Sequence, residues 1–142
     1  MTQEPHARSP LTDGTVTLRP AGDEDPRHLR FRVESEGRVA GEVSLQVLED
    51  RVGQLSWSTD PQERRRGYAT RAVRLLTRYA LEQQGLARVQ AYVDPADTAS
   101  LRIAGRSGLR REGVMRGLRA ASGVAAPHDE VLAILIAPRT PR

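Results

Sequence analysis

The stretch that decides the fold is "QERRRGYATRAVRLL" (residues 62–76). Ala69, Ala72, Val73, Leu76 and Ala80 recur at steps of three and four, so they share one face of a helix, while Arg71, Arg74 and Arg78 take another. What precedes that helix is unusual. The first amides of a helix lack partners and carry partial positive charge, and Ser, Thr, Asp or Asn normally satisfies them. Here Arg64, Arg65, Arg66 and Gly67 lead in, and exposed cations at that end are unfavourable by roughly 0.3–1 kcal/mol each. An incoming anion would resolve the mismatch, because Gly67 admits a ligand close to the backbone and small Ala69 keeps the first turn open. A frayed start with solvated arginines satisfies the same local physics, and these residues alone leave both readings open.

Around this stretch the chain of 142 residues has room for one domain with a real core. It is 38% hydrophobic and 28% charged, in the range of globular proteins. One Phe and one Trp leave the core to Leu, Val, Ile and Ala. Cysteine is absent, which excludes disulfides, thiolate metal sites and a cysteine nucleophile, and no metal site is expected. The apolar run "VLAILIA" (131–137) is too short to span a bilayer, and "MTQEPHARSP" (1–10) has no apolar signal core, so no membrane partner is expected and cytoplasm is the expected location. Every basic residue is Arg, the net charge is +4 and the pI is near 10.5. The arginines are scattered along the chain without aromatic interleaving, which disfavours a nucleic-acid binder.

Residues 1–13 read as a loose arm, 14–138 as the domain and 139–142 as a tail. "TVTLRP" (15–20) is a short strand ended by proline, and polar "AGDEDPRH" (21–28) reads as a loop. "LRFRVESEG" (29–37), "RVAGEVSLQVLE" (38–49) and "VGQLSWST" (52–59) form an antiparallel meander, with Val39, Val43, Leu45 and Val47 alternating onto one face. The helix of the opening stretch stops near "QQG" (83–85). A strand follows at 87–93, then a helix capped by Asp97 and closed by Gly108, with Leu109 as a hydrophobic lock. "LRREGVMRG" (109–117) and "EVLAILIA" (130–137) are the last strands, joined through 120–127. The sum is an α+β domain: a mixed sheet of about seven strands with two main helices.

Arg64-x-x-Gly67-x-Ala69 resembles the [Gln/Arg]-x-x-Gly-x-[Gly/Ala] signature of the GNAT superfamily of acetyl-CoA-dependent N-acetyltransferases. Asp97-x-x-Ser100, about thirty residues on, and "GRSGLRREG" (105–113) resemble that family's second motif. The spacing is most similar to the branch that acetylates alanine or serine N-termini of ribosomal proteins. The resemblance runs from Thr15 to Ile136. It implies a GNAT-like domain whose sheet splays between the fourth and fifth strands, with acetyl-CoA as co-substrate and a primary amine, a protein N-terminus or a small molecule, as acceptor.

Carried onto this chain, the resemblance puts the cofactor on Arg64, Arg65, Arg66, Gly67, Tyr68, Ala69 and Thr70, with Asp97 and Ser100 nearby. It also puts a bulged strand end at Trp57, Ser58 and Thr59 beside the thioester; Trp57 reads equally well as the large aromatic of the core. Ser100 is the candidate to protonate the leaving thiolate, and ordinary capping chemistry is its alternative. The usual Tyr position is Ala104. The usual Glu of the fourth strand is Gln54, and the helix position that often holds Glu is Arg71. For the base Glu42, Asp94 or Tyr92 could act through water, and His6, His28 and His128 fall in loop-like segments. Leu109 and Asp97 replace the family's usual Phe and Asn.

The family places one or two helices between its first and second strands, walling the acceptor pocket. Here only about ten residues separate "TVTLRP" from "RFRVES". The N-terminal helical region is therefore shortened, and the acceptor side is expected to be open, completed by a second copy in a homodimer, or degenerate. Two function classes beyond the enzyme stay in view: a CoA-binding module that lost its acceptor side, and a basic nucleic-acid binder.

Overall fold

The computed structural model describes residues 9–118 and 128–138. Eight strands form one sheet: β1 (Leu11–Thr12), β2 (Thr17–Asp25), β3 (His28–Ser35), β4 (Arg38–Leu48), β5 (Val52–Thr59), β6 (Arg88–Val93), β7 (Arg110–Leu118) and β8 (His128–Ile136). Their spatial order is β1-β2-β3-β4-β5-β6-β8-β7. Every neighbouring pair is antiparallel except β5 and β6, which run parallel. Two helices supply the crossovers: α1 (Tyr68–Arg78) joins β5 to β6, and α2 (Thr98–Arg106) joins β6 to β7. The eighth strand is β1, two residues at the end of the expected arm that pair with β2.

The parallel pair is short. Val52, Gly53 and Gln54 register with Arg88, Val89 and Gln90, and pairing then stops. From Leu55 to Thr59 the outer edge of β5 has no strand beside it, so the sheet splays where the resemblance requires.

The apolar face of β3–β5 receives α1. Ala72, Val73, Leu76 and Ala80 are buried against Phe31, Val43, Leu45 and Leu55, in line with the helical spacing of the sequence. The alternate residues of these strands face the other way and stay half exposed. There Arg30 pairs with Glu42 at 3.2 Å and Arg19 with Glu34 at 2.9 Å. The fold thus leaves the sheet apolar under α1 and polar on its opposite face.

Several expectations need correction. Residues 21–28 are not a loop: β2 runs through Pro20 to Asp25 and turns directly into β3, with Asp25 Oδ1 accepting from the Arg27 amide at 2.9 Å. Pro20 did not end the strand because β1 covers only Thr17 and Leu18, so beyond them β2 is an edge. His28 accordingly lies in β3 and His128 opens β8, while His6 and 120–127 fall outside the described residues. Val39 leaves the period-two face and is 45% exposed. Val33 pairs with Gly41 and Glu34 with Val39, so Ala40 is an extra residue that reverses the parity of the strand. That bulge sits in β4, whereas β5 pairs with β4 without interruption through Trp57–Thr59, where a bulge was expected. Gly41 makes the close approach tolerable, since a Cβ there would run into the Ser58 carbonyl oxygen.

Candidate cofactor cleft

The unpaired edge of β5 opens into a cleft of about 510 Å³, closed on its other sides by the start of α1 and one flank of α2. The chain enters α1 through a single turn at Pro61–Glu63, then Arg64 to Gly67. Arg65 takes a left-handed φ of 68° and Gly67 one of 78°. For Arg65 this conformation is unfavourable by roughly 1–2 kcal/mol, and for glycine it is nearly free. Gly67 is the residue before the helix and provides no capping side chain. Its carbonyl accepts from the Arg71 amide at 3.1 Å, and no acidic residue stands in the first turn. Among the described residues, the amides of 65–70 have no acceptor. Nothing lies within 4 Å of where a Gly67 side chain would begin, so the approach to these amides is open.

The loop is held by Glu63, which also lines the cleft. Its side chain is 5% exposed, yet it lies 3.2 Å from Arg38 on the β3–β4 hairpin and 3.4 Å from Arg66. A buried carboxylate with two half-exposed guanidinium partners is a latch between the loop and the sheet, since an unpaired charge there would be strongly penalised. Sequence reasoning missed Glu63, because nothing in its local spacing announces a partner twenty-five residues away.

Trp57, Ser58, Thr59, Arg64, Arg65, Gly67, Tyr68, Ala69 and Thr70 all line the cleft, as do Asp97 and Ser100. Arg66 does not line it; its guanidinium turns to Glu63. Trp57 serves both readings, half-buried against the core while also facing the cleft. Asp97 Oδ1 caps α2 by accepting from the Ser100 amide at 3.0 Å. Leu109 locks the far end of α2, buried, its amide donating to the Ala104 carbonyl at 3.0 Å. Arg102, Ile103 and Arg106 of α2 also face the cleft, at i+3, i+4 and i+7 from Ala99, which lines it too, so the stripe could have been read once the start of α2 was placed.

The candidate bases lie elsewhere. Gln54 sits where β5 and β6 part, opposite Gln90. Glu42 is on the open polar face, opposite Ser58 and paired with Arg30. Asp94 is exposed and accepts from the Ala96 amide at 2.9 Å, a turn role. Tyr92 is half-buried in β6 opposite Leu132. Ala104, at the usual Tyr position, is 3% exposed and belongs to the core, so no hydroxyl is offered there.

A splayed mixed sheet whose gap meets an uncapped helix start is a shape that can take an extended, phosphate-bearing ligand. The sequence matches the GNAT acetyltransferase domain over residues 7–110, and the chain belongs to that family. It is 32% identical over 111 residues to the probable N-acetyltransferase YjcK of Bacillus subtilis, covering 76% of this chain and 61% of that protein. Mycobacterium smegmatis RimJ, solved with CoA-disulfide, superposes with a TM-score of 0.72 at 24% identity, over 79% of this chain and 54% of RimJ. A Vibrio cholerae protein assigned as a ribosomal-protein-serine acetyltransferase superposes with a TM-score of 0.79 at 16% identity, over 94% of this chain and 99% of that one. The chain thus spans 61% of YjcK and 54% of RimJ. Among the described residues, no helix is long and apolar enough to cross a membrane.

Proposed function

We propose that the protein transfers an acetyl group from acetyl-CoA to a primary amine, in the cytoplasm. The observation that carries this is the run of partnerless amides at 65–70, open above Gly67 at the head of the gap beside β5. Relatives named as acetyltransferases, one of them solved with CoA-disulfide, support it. In this reading the diphosphate lies on those amides with Arg64 and Arg65 beside it, and the pantetheine arm adds to the free edge of β5 like another strand. An edge amide among Trp57, Ser58 and Thr59 then donates to the thioester oxygen where negative charge develops.

The amine approaches from the polar face of the sheet, which the direct β2–β3 turn leaves without intervening helices. Its nitrogen attacks the carbonyl carbon to form the C–N bond, and the tetrahedral intermediate collapses by breaking C–S. The proton lost by the amine passes through water to Glu42, which lies opposite Ser58 on the polar face, and the Ser100 hydroxyl donates a proton to the departing thiolate and is reprotonated from solvent water. An acceptor site open on this scale suits a protein N-terminus better than a caged small amine, and a second copy of the chain could complete its wall.

A second reading, a CoA-binding module without turnover, is favoured by Gln54 where a carboxylate is expected and by the core position of Ala104. Calorimetric titration with acetyl-CoA, followed by thiol release across N-terminal peptides and small amines, separates the two. Binding with thiol release supports the enzyme. Binding without release for any amine supports the module. No binding removes both and leaves the basic surface as a nucleic-acid site.

A further inference from the structure

On the polar face of β2–β5 the strand register sets the side chains in rows. One row runs Ser58, Glu42, Arg32, Arg19, each opposite the next on the neighbouring strand. The row beside it runs Ser56, Ser44, Arg30, and the two serine hydroxyls bond to each other at 2.5 Å. Most of the charges here are already spent. Arg19 Nε donates to Glu34 Oε1 at 2.9 Å, and Arg30 Nε and Nη2 both donate to Glu42 Oε1 at 3.2 Å. Arg32 is different. Its carboxylate contact among the described residues runs from Nε to Glu34 Oε2 at 3.9 Å, beyond hydrogen-bond reach, on a group that Arg19 already holds. Arg19, Arg30 and Arg32 against Glu34 and Glu42 leave one positive charge in excess, and it falls on a side chain that is 49% exposed.

The position of Arg32 relative to the free edge of β5 gives this charge a meaning. Adjacent strands lie about 4.8 Å apart, so two spacings put Arg32 roughly 10 Å from Ser58 across the sheet. An extended peptide advances about 3.3 Å per residue. With its amine at the edge beside Ser58, a chain crossing the polar face carries its second residue over Glu42 and its third to fifth over Arg32. We propose that the acceptor is a polypeptide with an aspartate or glutamate among its third to fifth residues, and that Arg32 selects it. This rests on the reading that the amine enters from the polar face to meet acetyl-CoA. A guanidinium with uncommitted donors offers a carboxylate paired, charge-assisted hydrogen bonds. At the second residue an acid gains nothing, because Glu42 stands beneath it. A basic segment is a poorer match, since Glu34 and Glu42 are each already held by an arginine.

The test is thiol release from acetyl-CoA with decapeptides of one neutral sequence, carrying a single Asp or a single Lys at the second, third, fourth, fifth or eighth residue. Each is compared with the neutral parent in the wild type, in Arg32→Gln and in Arg32→Glu, whose folds are checked by circular dichroism. Because every ratio is taken within one protein, any effect of the substitution on Glu42 cancels. In the wild type, Asp at one of the third to fifth residues should lower KM about fivefold, the upper end for an exposed ion pair. The gain should lie in KM rather than kcat, and Asp at the second or eighth residue should not show it. Arg32→Gln should abolish the preference, and Arg32→Glu should transfer it to Lys. Equal KM values for Asp and neutral peptides in the wild type overturn the assignment while leaving acetyl transfer intact. So does a preference that survives in Arg32→Gln, which moves the acid to Arg19 or Arg30. Release with small amines but with no peptide overturns it as well. No release with any amine removes the acetyl-transfer reading and this assignment with it.

Discussion

The two helices begin within reach of the same cleft and begin differently. α2 is closed by Asp97, whose carboxylate satisfies the Ser100 amide. α1 starts at a left-handed glycine, carries no acid in its first turn and is approached by three arginines. A helix whose only task is packing gains roughly 0.5–2 kcal/mol from a side-chain cap. α1 forgoes that gain in an otherwise well-packed protein, and adds a strained Arg65. In the proposed reading, the contrast separates a helix start built for the fold from one held open for the diphosphate.

The largest effect should come from filling that vacancy. Gly67→Glu puts bulk and negative charge into space that is empty within 4 Å. Acetyl-CoA affinity measured by calorimetry should fall at least about a hundredfold, roughly 3 kcal/mol, with the far-ultraviolet spectrum retained. An unchanged dissociation constant would erase the distinction between the two helix starts.

Next in size is Glu63→Ala, which releases the latch to Arg38 and Arg66. Because both arginines are half exposed, the expected stability loss is about 1–2 kcal/mol rather than the full penalty of a buried pair. Chemical denaturation measures it, and acetyl-CoA binding should weaken by about tenfold as the loop loses its shape. Loss of stability with binding intact would make Glu63 part of the scaffold alone.

Asp97→Ala should show the opposite balance: about 1 kcal/mol of stability lost with the α2 cap, and little change in acetyl-CoA affinity. A collapse of affinity in this variant would give α2 a direct share in the ligand.

The smallest effect belongs to Asp13. Partial burial would raise its pKa, but the Val16 and Thr15 amides and the Arg71 guanidinium outweigh burial and hold it below its ordinary value. A depressed carboxylate stabilises the fold above its unfolded pKa and loses that contribution as pH falls through its folded value. Thermal melts from pH 5 to 2 should therefore show a steeper decline in the wild type than in Asp13→Asn. Parallel curves would detach this carboxylate from the stability of the arm.

How legible each part was depended on the range of the forces behind it. The α1 stripe from Ala72 to Ala80 and the Asp97 cap were readable because their cause lies within a turn of helix. The β2–β3 hairpin was not, because Pro20, Gly22 and Pro26 carry loop signals that an edge strand tolerates. Val39 looked like core until the extra residue at Ala40 turned it outward. The bulge came from pairing with β3, which no single strand encodes.

By itself the sequence determined the uncapped start at Gly67, the apolar stripe behind it and the absence of room for helices before β3. These follow from neighbours three or four residues apart and from chain length. Only the tertiary structure decided that Glu63 reaches Arg38 and that Arg106 comes to lie beside Arg74. Those pairs meet because the sheet and its crossovers carry distant segments together, and side-chain electrostatics acts through space rather than along the chain.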